Sequence, residues 1–306
     1  MTRQLLIGSR GSTLALAQTN EIVRALHELA PDVSCRVIPI KTKGDTLHYK
    51  EQSSAESKSV FTKEIEDALL ASEIQLAVHS LKDLTTGLPS GLMIAAVPRR
   101  ADHRDALVSR KKWRFQELPG GARVGTSSPR RRTQLLAARS DLMIEEMRGN
   151  VDTRLRKLDS GICDSIVLAA AGLVRLGLEK RITEFLSTKI MLPAIGQGAL
   201  AVEANINDHE IVNLVRRLED KSTRRAVEAE RAFARKLGAN CHTPIAAYAR
   251  VQPDGKLTID GMVSSSDGRM LLRSQLVSDG SEPERVGENL ADSLLNKGAQ
   301  FVLEAA

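Results

Sequence analysis

The chain has 306 residues, enough for two or three domains with separate cores. Its longest N-terminal apolar run, around Leu5-Leu6-Ile7, is too short for a signal peptide, and no stretch is apolar enough to span a bilayer, so a cytosolic protein with no membrane partner is expected. The net charge of +6 asks for an acidic partner, but aromatic residues are only 3% and no nucleic-acid motif is present, which argues against nucleic acid.

In chain order, Leu5 to Gly8 reads as a buried strand leading into Ser9-Arg10-Gly11-Ser12. Ser12 can cap a helix that puts Ile22, Leu26 and Leu29 on one face. A strand over Val33 to Ile40 follows, and then a polar segment from Lys41 to Ser59 without apolar periodicity, expected to be a mobile loop or lid. Phe61, Ile65, Ala68 and Leu69 mark the next helix. Ile74 to His79 is a strand that ends in Ser80-Leu81-Lys82-Asp83, and Leu92 to Val97 is another.

At Arg99-Arg100-Ala101-Asp102 the chain crosses into a basic region: from Arg99 to Pro193 there are 20 Lys/Arg against 11 Asp/Glu, a balance of +9. Arginine outnumbers lysine 29 to 15 in the whole chain, which favours bidentate recognition of carboxylate or phosphate. The strand Arg123-Val124-Gly125 runs into Thr126-Ser127-Ser128 and then Pro129-Arg130-Arg131-Arg132. Ser128 suits an N-cap and Pro129 a first helical turn. Arg130 and Arg131 then lie where the helix dipole disfavours cations, and an acidic ligand is the simplest compensation. Met143 to Met147 precedes Arg148-Gly149-Asn150 and a helix with Val151, Leu155 and Leu158 on one face. Arg154 flanks that stripe and Arg156 points away from it. Ser165 to Leu168 precedes a small-residue helix and Arg175. Strands alternating with helices predict parallel α/β sheets, which bind ligands at the carboxyl ends of their strands.

Pro193 to Ala199 is a glycine-rich hinge candidate, and Leu200 to Glu203 is a strand able to return to the first sheet. Thr223 to Leu237 is an amphipathic helix stopped by Gly238, with Cys241 in the loop beyond. Strands over Leu257 to Val263 and Met270 to Val277, joined through Asp267-Gly268, and a helix carrying Val286, Leu290 and Leu294 complete a separate α+β module. No internal sequence repeat is visible. The cysteines Cys35, Cys163 and Cys241 form no CxxC pair, so no disulfide framework or metal site is indicated. Cys35 and Cys163 read as small core residues, and His79 reads as a core or supporting histidine rather than a base.

Taken together, the segments Gly8 to Leu16, Ala77 to Asp83, Val124 to Arg131, Arg148 to Leu155, Ala170 to Leu173, Gly196 to Ala199 and Cys241 resemble the porphobilinogen deaminase family along nearly the whole chain. The resemblance implies two periplasmic-binding-protein-like α/β lobes, over 1–98 with 199–218 and over 99–198, and a C-terminal α+β domain over 219–306. It implies a monomer that joins four porphobilinogen molecules head to tail, releasing ammonia, on a dipyrromethane held by a thioether at Cys241. By the same resemblance Asp83 is the catalytic carboxylate. Arg10, Ser12, Lys82, Arg130, Arg131, Arg148, Arg154 and Arg175 bind the acetate and propionate groups, with Thr126 and Ser128 as added hydroxyl donors. Each pyrrole carries two carboxylates, so the growing chain is a polyanion, which suits the arginine-rich middle region.

Three positions depart from the family pattern. Glu56-Ser57-Lys58-Ser59-Val60 stands where glycines are usual, Ala239-Asn240 precedes Cys241 in place of two glycines, and Thr85 replaces a proline. Two rival readings are a solute-binding module for a small carboxylate, which gives Cys241 no role, and a nucleic-acid binder, which explains only the charge.

Overall fold

The computed structural model describes residues 3–43, 61–239 and 243–304. The expected lid from residue 44 onward and Cys241 lie outside the described residues. The chain divides into two compact units, Met1–Arg100 with Ala199–Arg224, and Ala101–Gly198 with Arg225–Ala306.

In the first unit, β1 (Arg3–Arg10), β2 (Val33–Ile40), β3 (Leu76–Ser80), β4 (Leu92–Ala96) and β10 (Leu200–Asn205) form one sheet of order β2-β1-β3-β10-β4. β1 runs parallel to β2 and β3, and β10 enters antiparallel between β3 and β4. Both faces are covered, so the strands read as continuous apolar runs rather than alternating ones. Leu5, Ile7, Leu76 and Val202 pack with Ile22 and Leu26 of α1 (Thr13–Leu29) and with Ile211 and Val215 of a later helix. Ile65 and Leu69 of α2 (Lys63–Leu70) pack with Ile74 and Ala77.

The second unit holds a second five-stranded sheet, made of β5 (Asp105–Ser109), β6 (Arg123–Gly125), β7 (Met143–Glu145), β8 (Ser165–Ala169) and β9 (Glu184–Phe185) in the order β7-β6-β8-β5-β9. β6 is parallel to β7 and β8, while β5 is antiparallel to β8 and β9. The two sheets therefore share one plan: three parallel strands in the order second, first, third, then a strand antiparallel to them, then a fifth that is antiparallel to the fourth and so runs with the first three. Helices α3 (Pro129–Ala138), α4 (Val151–Asp159) and α5 (Ala170–Arg175) follow the three parallel strands. Leu155 and Leu158 seal one face, as the stripe predicted, and Leu135, Phe115 and Leu142 seal the other.

The same unit contains the α+β module, an antiparallel sheet of β11 (Ile245–Val251), β12 (Leu257–Ser264) and β13 (Leu271–Ser278). Phe233, Val286, Leu290 and Leu294 from its helices fill one face. The fold is thus the expected α/β plan of two lobes with a small α+β module. Three strands are additions to the sequence reading: β5, a short stretch opening on a charged Asp105, β9, only two residues long, and β11, whose alanines have little strand propensity. Gly198 lies where the chain leaves the second unit; at φ +89° an added Cβ would come within 2.8 Å of the Ala101 carbonyl oxygen, so only glycine fits.

Candidate functional site

In the first unit the carboxyl edge of β1 and β3 collects four of the expected residues. Arg10 ends β1, and its guanidinium lies 4.4 Å over the Phe61 ring, just before α2. Ser12 caps α1, accepting a hydrogen bond from the Ala15 N–H at 3.2 Å. Leu81-Lys82-Asp83 form a single 3-10 turn directly after β3. Leu81 is buried and anchors the turn, while Lys82 and Asp83 are exposed. Among the described residues the Asp83 carboxylate has no hydrogen-bond or ion-pair partner. The turn is held from both sides: Leu81 N–H donates to the Ala199 carbonyl at 3.0 Å, and the Ser80 hydroxyl and Gln18 amide bond each other at 2.7 and 3.0 Å. His79 is buried 3.0 Å from Glu203, the supporting position expected for it.

In the second unit the carboxyl edge of β6, β7 and β8 collects the rest. Thr126 is buried after β6, and its hydroxyl accepts from the Ser128 N–H at 3.2 Å. Ser128 occupies the N-cap of α3 and Pro129 its first turn, as expected, but the Ser128 side chain makes no cap bond. Arg148 follows β7, is exposed, and pairs with Glu146. Arg154 on α4 donates to the Gly149 carbonyl at 2.7 Å, whereas Arg156 is exposed. Arg175 ends α5 and donates to the Gly198 carbonyl at 3.3 Å. Gly125 must be small, because a Cβ there would stand 2.9 Å from Ile166 and Met147.

Arg130 and Arg131 occupy the first turn of α3 but are buried, not open like Arg132 beside them. Both turn to Asp105 at the start of β5. Arg130 Nη1 donates to Asp105 Oδ2 at 2.8 Å and to the Leu192 carbonyl at 2.7 Å, and Arg131 Nε donates to Asp105 Oδ1 at 2.9 Å. Part of the compensation sought from a ligand is therefore internal. Burial would raise the Asp105 carboxyl, but the two guanidiniums outweigh it and hold the group down at about 2. Burial, with Arg130 beside it, moves the Arg131 guanidinium below its ordinary value in spite of Asp105. Two cations on one carboxylate leave a net charge of +1 in a site sealed from water, a strong local field for a second anion.

Sequence reasoning missed Asp105, which stands 25 residues before Arg130 in an unrecognised strand. The one available signal was an acidic residue in the most basic region. Cys163 is fully buried, and burial pushes its thiol up to about 11; Cys35 is half-buried, its thiol also raised by burial, so both are poor nucleophiles.

Comparison with known proteins gives one consistent result. The family model described as porphobilinogen deaminase, dipyromethane cofactor binding domain, matches residues 5–213, and that described as porphobilinogen deaminase, C-terminal domain, matches residues 224–296. The porphobilinogen deaminase of Thermus thermophilus is 47% identical over 301 residues, covering 98% of each chain. That of a Geobacillus species is 46% identical over 303 residues, covering 99% of this chain and 97% of the relative. Among solved structures, a putative methionine-binding lipoprotein of Bacillus subtilis aligns with a TM-score of 0.43 at 14% identity, over 72% of this chain and 91% of that one.

Proposed function

The chain belongs to the porphobilinogen deaminase family, and from that premise we propose how its own residues carry the reaction. It is a transferase that takes porphobilinogen as substrate and uses a dipyrromethane cofactor. When bound, the cofactor supplies the primer pyrrole to which the new rings are joined. The donor set suits such a polycarboxylate: the second unit places Arg148, Arg154 and Arg175 on the strand edge that also carries the net-positive Arg130–Arg131–Asp105 cluster.

Asp83 is the catalytic carboxylate. Losing ammonia from porphobilinogen leaves positive charge delocalised over the pyrrole nitrogen, and bond formation places similar charge on the ring that attacks. A fixed carboxylate beside those nitrogens lowers both barriers and can accept the nitrogen proton. The observation that carries this reading is the placement of Asp83: exposed, on a turn pinned by buried Leu81, without a competing partner among the described residues. Lys82 and Arg10, on the same edge, bind the acetate and propionate groups and fix the ring against Asp83, with Ser12 as a further donor. Arg148, Arg154 and Arg175 bind carboxylates of earlier rings, with Thr126 and Ser128 adding hydroxyl donors. Arg130 and Arg131 act through the positive charge that Asp105 only half cancels.

Cys241 is the attachment point, four porphobilinogens are joined per cycle, and the linear tetrapyrrole hydroxymethylbilane is then released by water. Residues 99–198 and 219–306, most of which fall in the second unit, are separate domains, each with its own apolar cluster. The protein is a cytosolic monomer; no helix among the described residues is long and apolar enough to cross a membrane. The test is ammonia release from porphobilinogen by freshly purified protein and by Asp83→Asn. The reading expects steady release by the wild type and near-complete loss in the variant. Equal rates in the two would remove Asp83 from the mechanism.

A further inference from the structure

Along β3, the strand that leads into the Asp83 turn, the first unit buries three ionisable side chains together. Glu203 on β10 is wholly inaccessible, Glu66 on α2 is 3% exposed and His79 on β3 is 5% exposed. His79 Nε2 lies 3.0 Å from Glu203 Oε2, yet neither is aligned for a hydrogen bond. Both Glu203 oxygens and Glu66 Oε1 lack a hydrogen-bond partner among the described residues. Sealing three such groups away from water is costly, and an apolar trio of similar volume would commonly be as stable or more so. Stability alone is therefore a poor reason for the cluster to be here.

Its geometry supplies a better one. Ala201 pairs with His79 across the β10–β3 ladder, so Glu203, two residues on, shares the His79 face and meets it diagonally. The β10–β4 register shifts between Val202 and Glu203, a bulge of the kind that re-aims a side chain. Glu66 comes from α2, and Phe61, two residues before that helix, lies against Arg10. The cluster thus joins the strand that ends in Lys82-Asp83, the strand that returns through Ala199, and the helix behind the Arg10 contact.

We propose that Glu66, His79 and Glu203 form a positioning cluster for the reaction, setting the height of the Leu81–Asp83 turn on the carboxyl edge while the three groups together stay close to neutral. His79 faces one carboxyl, Glu203, at 3.0 Å, and burial favours the neutral form of the other, Glu66. Consistent with this, burial first, and then the Glu203 carboxylate, push the Glu66 carboxyl above its ordinary value. The charged groups acting on Glu66 are Glu203 from β10, His79 from β3 and Asp67 from α2 itself. Removing the Glu66 proton adds an unbalanced negative charge, which pulls on His79 and so on the turn. This inference rests on the catalytic reading of Asp83.

The experiment follows ammonia release against pH with cofactor-loaded wild type, Asp83→Asn, Glu203→Gln and Glu66→Gln. Glu203→Gln is expected to lower kcat by about tenfold with KM changed less than twofold, since a displaced carboxylate harms the transition state more than substrate binding. Glu66→Gln, fixed in the neutral form, is expected to move the alkaline limb of the kcat profile upward. It should also remove a loss of thermal stability that the wild type shows as pH rises above the ordinary carboxyl range toward the raised Glu66 value. An inactive wild type, or an Asp83→Asn variant as fast as wild type, would overturn the catalytic reading itself. An active wild type and an inactive Asp83→Asn, combined with Glu203→Gln and Glu66→Gln profiles that superimpose on wild type, would overturn the cluster alone. If Glu203→Gln fails to fold, the Glu66→Gln profile decides.

Discussion

On the first carboxyl edge, Lys82 and Asp83 stand exposed on a one-turn helix. On the second, Arg130 and Arg131 are sealed in and share one buried carboxylate, although both edges are built on the same strand order. An exposed carboxylate can meet a changing series of rings and return to water between them. A buried, half-neutralised arginine pair cannot move without breaking its ladder of bonds, and so serves as a fixed source of positive field. On the proposed roles, the same plan of strands carries a reactive edge in one unit and a standing electrostatic one in the other.

The sharpest way to break this contrast is to exchange charge for neutral amide on each edge. Asp105→Asn leaves two guanidiniums buried without a carboxylate, and chemical denaturation should show a loss of about 3–5 kcal/mol. The Asp105 carboxyl is lowered from an ordinary 3.8 to about 2, so its contribution is complete above the ordinary value and is lost as pH falls from there through about 2; the variant should lack that acid-side loss. Asp83→Asn should instead cut turnover by roughly a hundred- to a thousandfold while leaving stability within about 0.5 kcal/mol. Loss of stability in both, or in neither, would dissolve the distinction.

Smaller effects refine it. Ser12→Ala removes a cap bond that is present and should cost about 1 kcal/mol of stability, whereas Ser128→Ala removes none and should stay within about 0.5 kcal/mol by the same denaturation assay. Glu146→Gln, which removes the exposed Arg148–Glu146 ion pair, should change stability by less than about 1 kcal/mol, an effect that vanishes in high salt.

Where the chain is buried on both faces, the sequence was plain. Leu76 to Val78 and Ile166 to Leu168 read as strands because nothing polar interrupts them, and the stripe of Leu155 and Leu158 read as a helix face. β11 was hidden by its alanines, and β5 by its brevity. The shared strand order was invisible because each sheet takes its fourth strand out of turn, β10 returning to the first from beyond residue 198 and β5, which opens the second, pairing with β8 rather than with β6. At the site, Lys82 and Asp83 were legible as residues just past an apolar run. The burial of Arg130 and Arg131 was not, because it depends on Asp105, a partner with no local signal. Likewise His79 could be read as a supporting residue, but Glu66 and Glu203 could not be joined to it before the sheet was known.

The most direct test of the account is the intact mass of freshly purified wild-type protein beside Cys241→Ser. The account predicts a wild type heavier than its sequence by one dipyrromethane, a variant at its sequence mass, and ammonia release from porphobilinogen by the wild type only. A wild type at its bare sequence mass that releases no ammonia would contradict it.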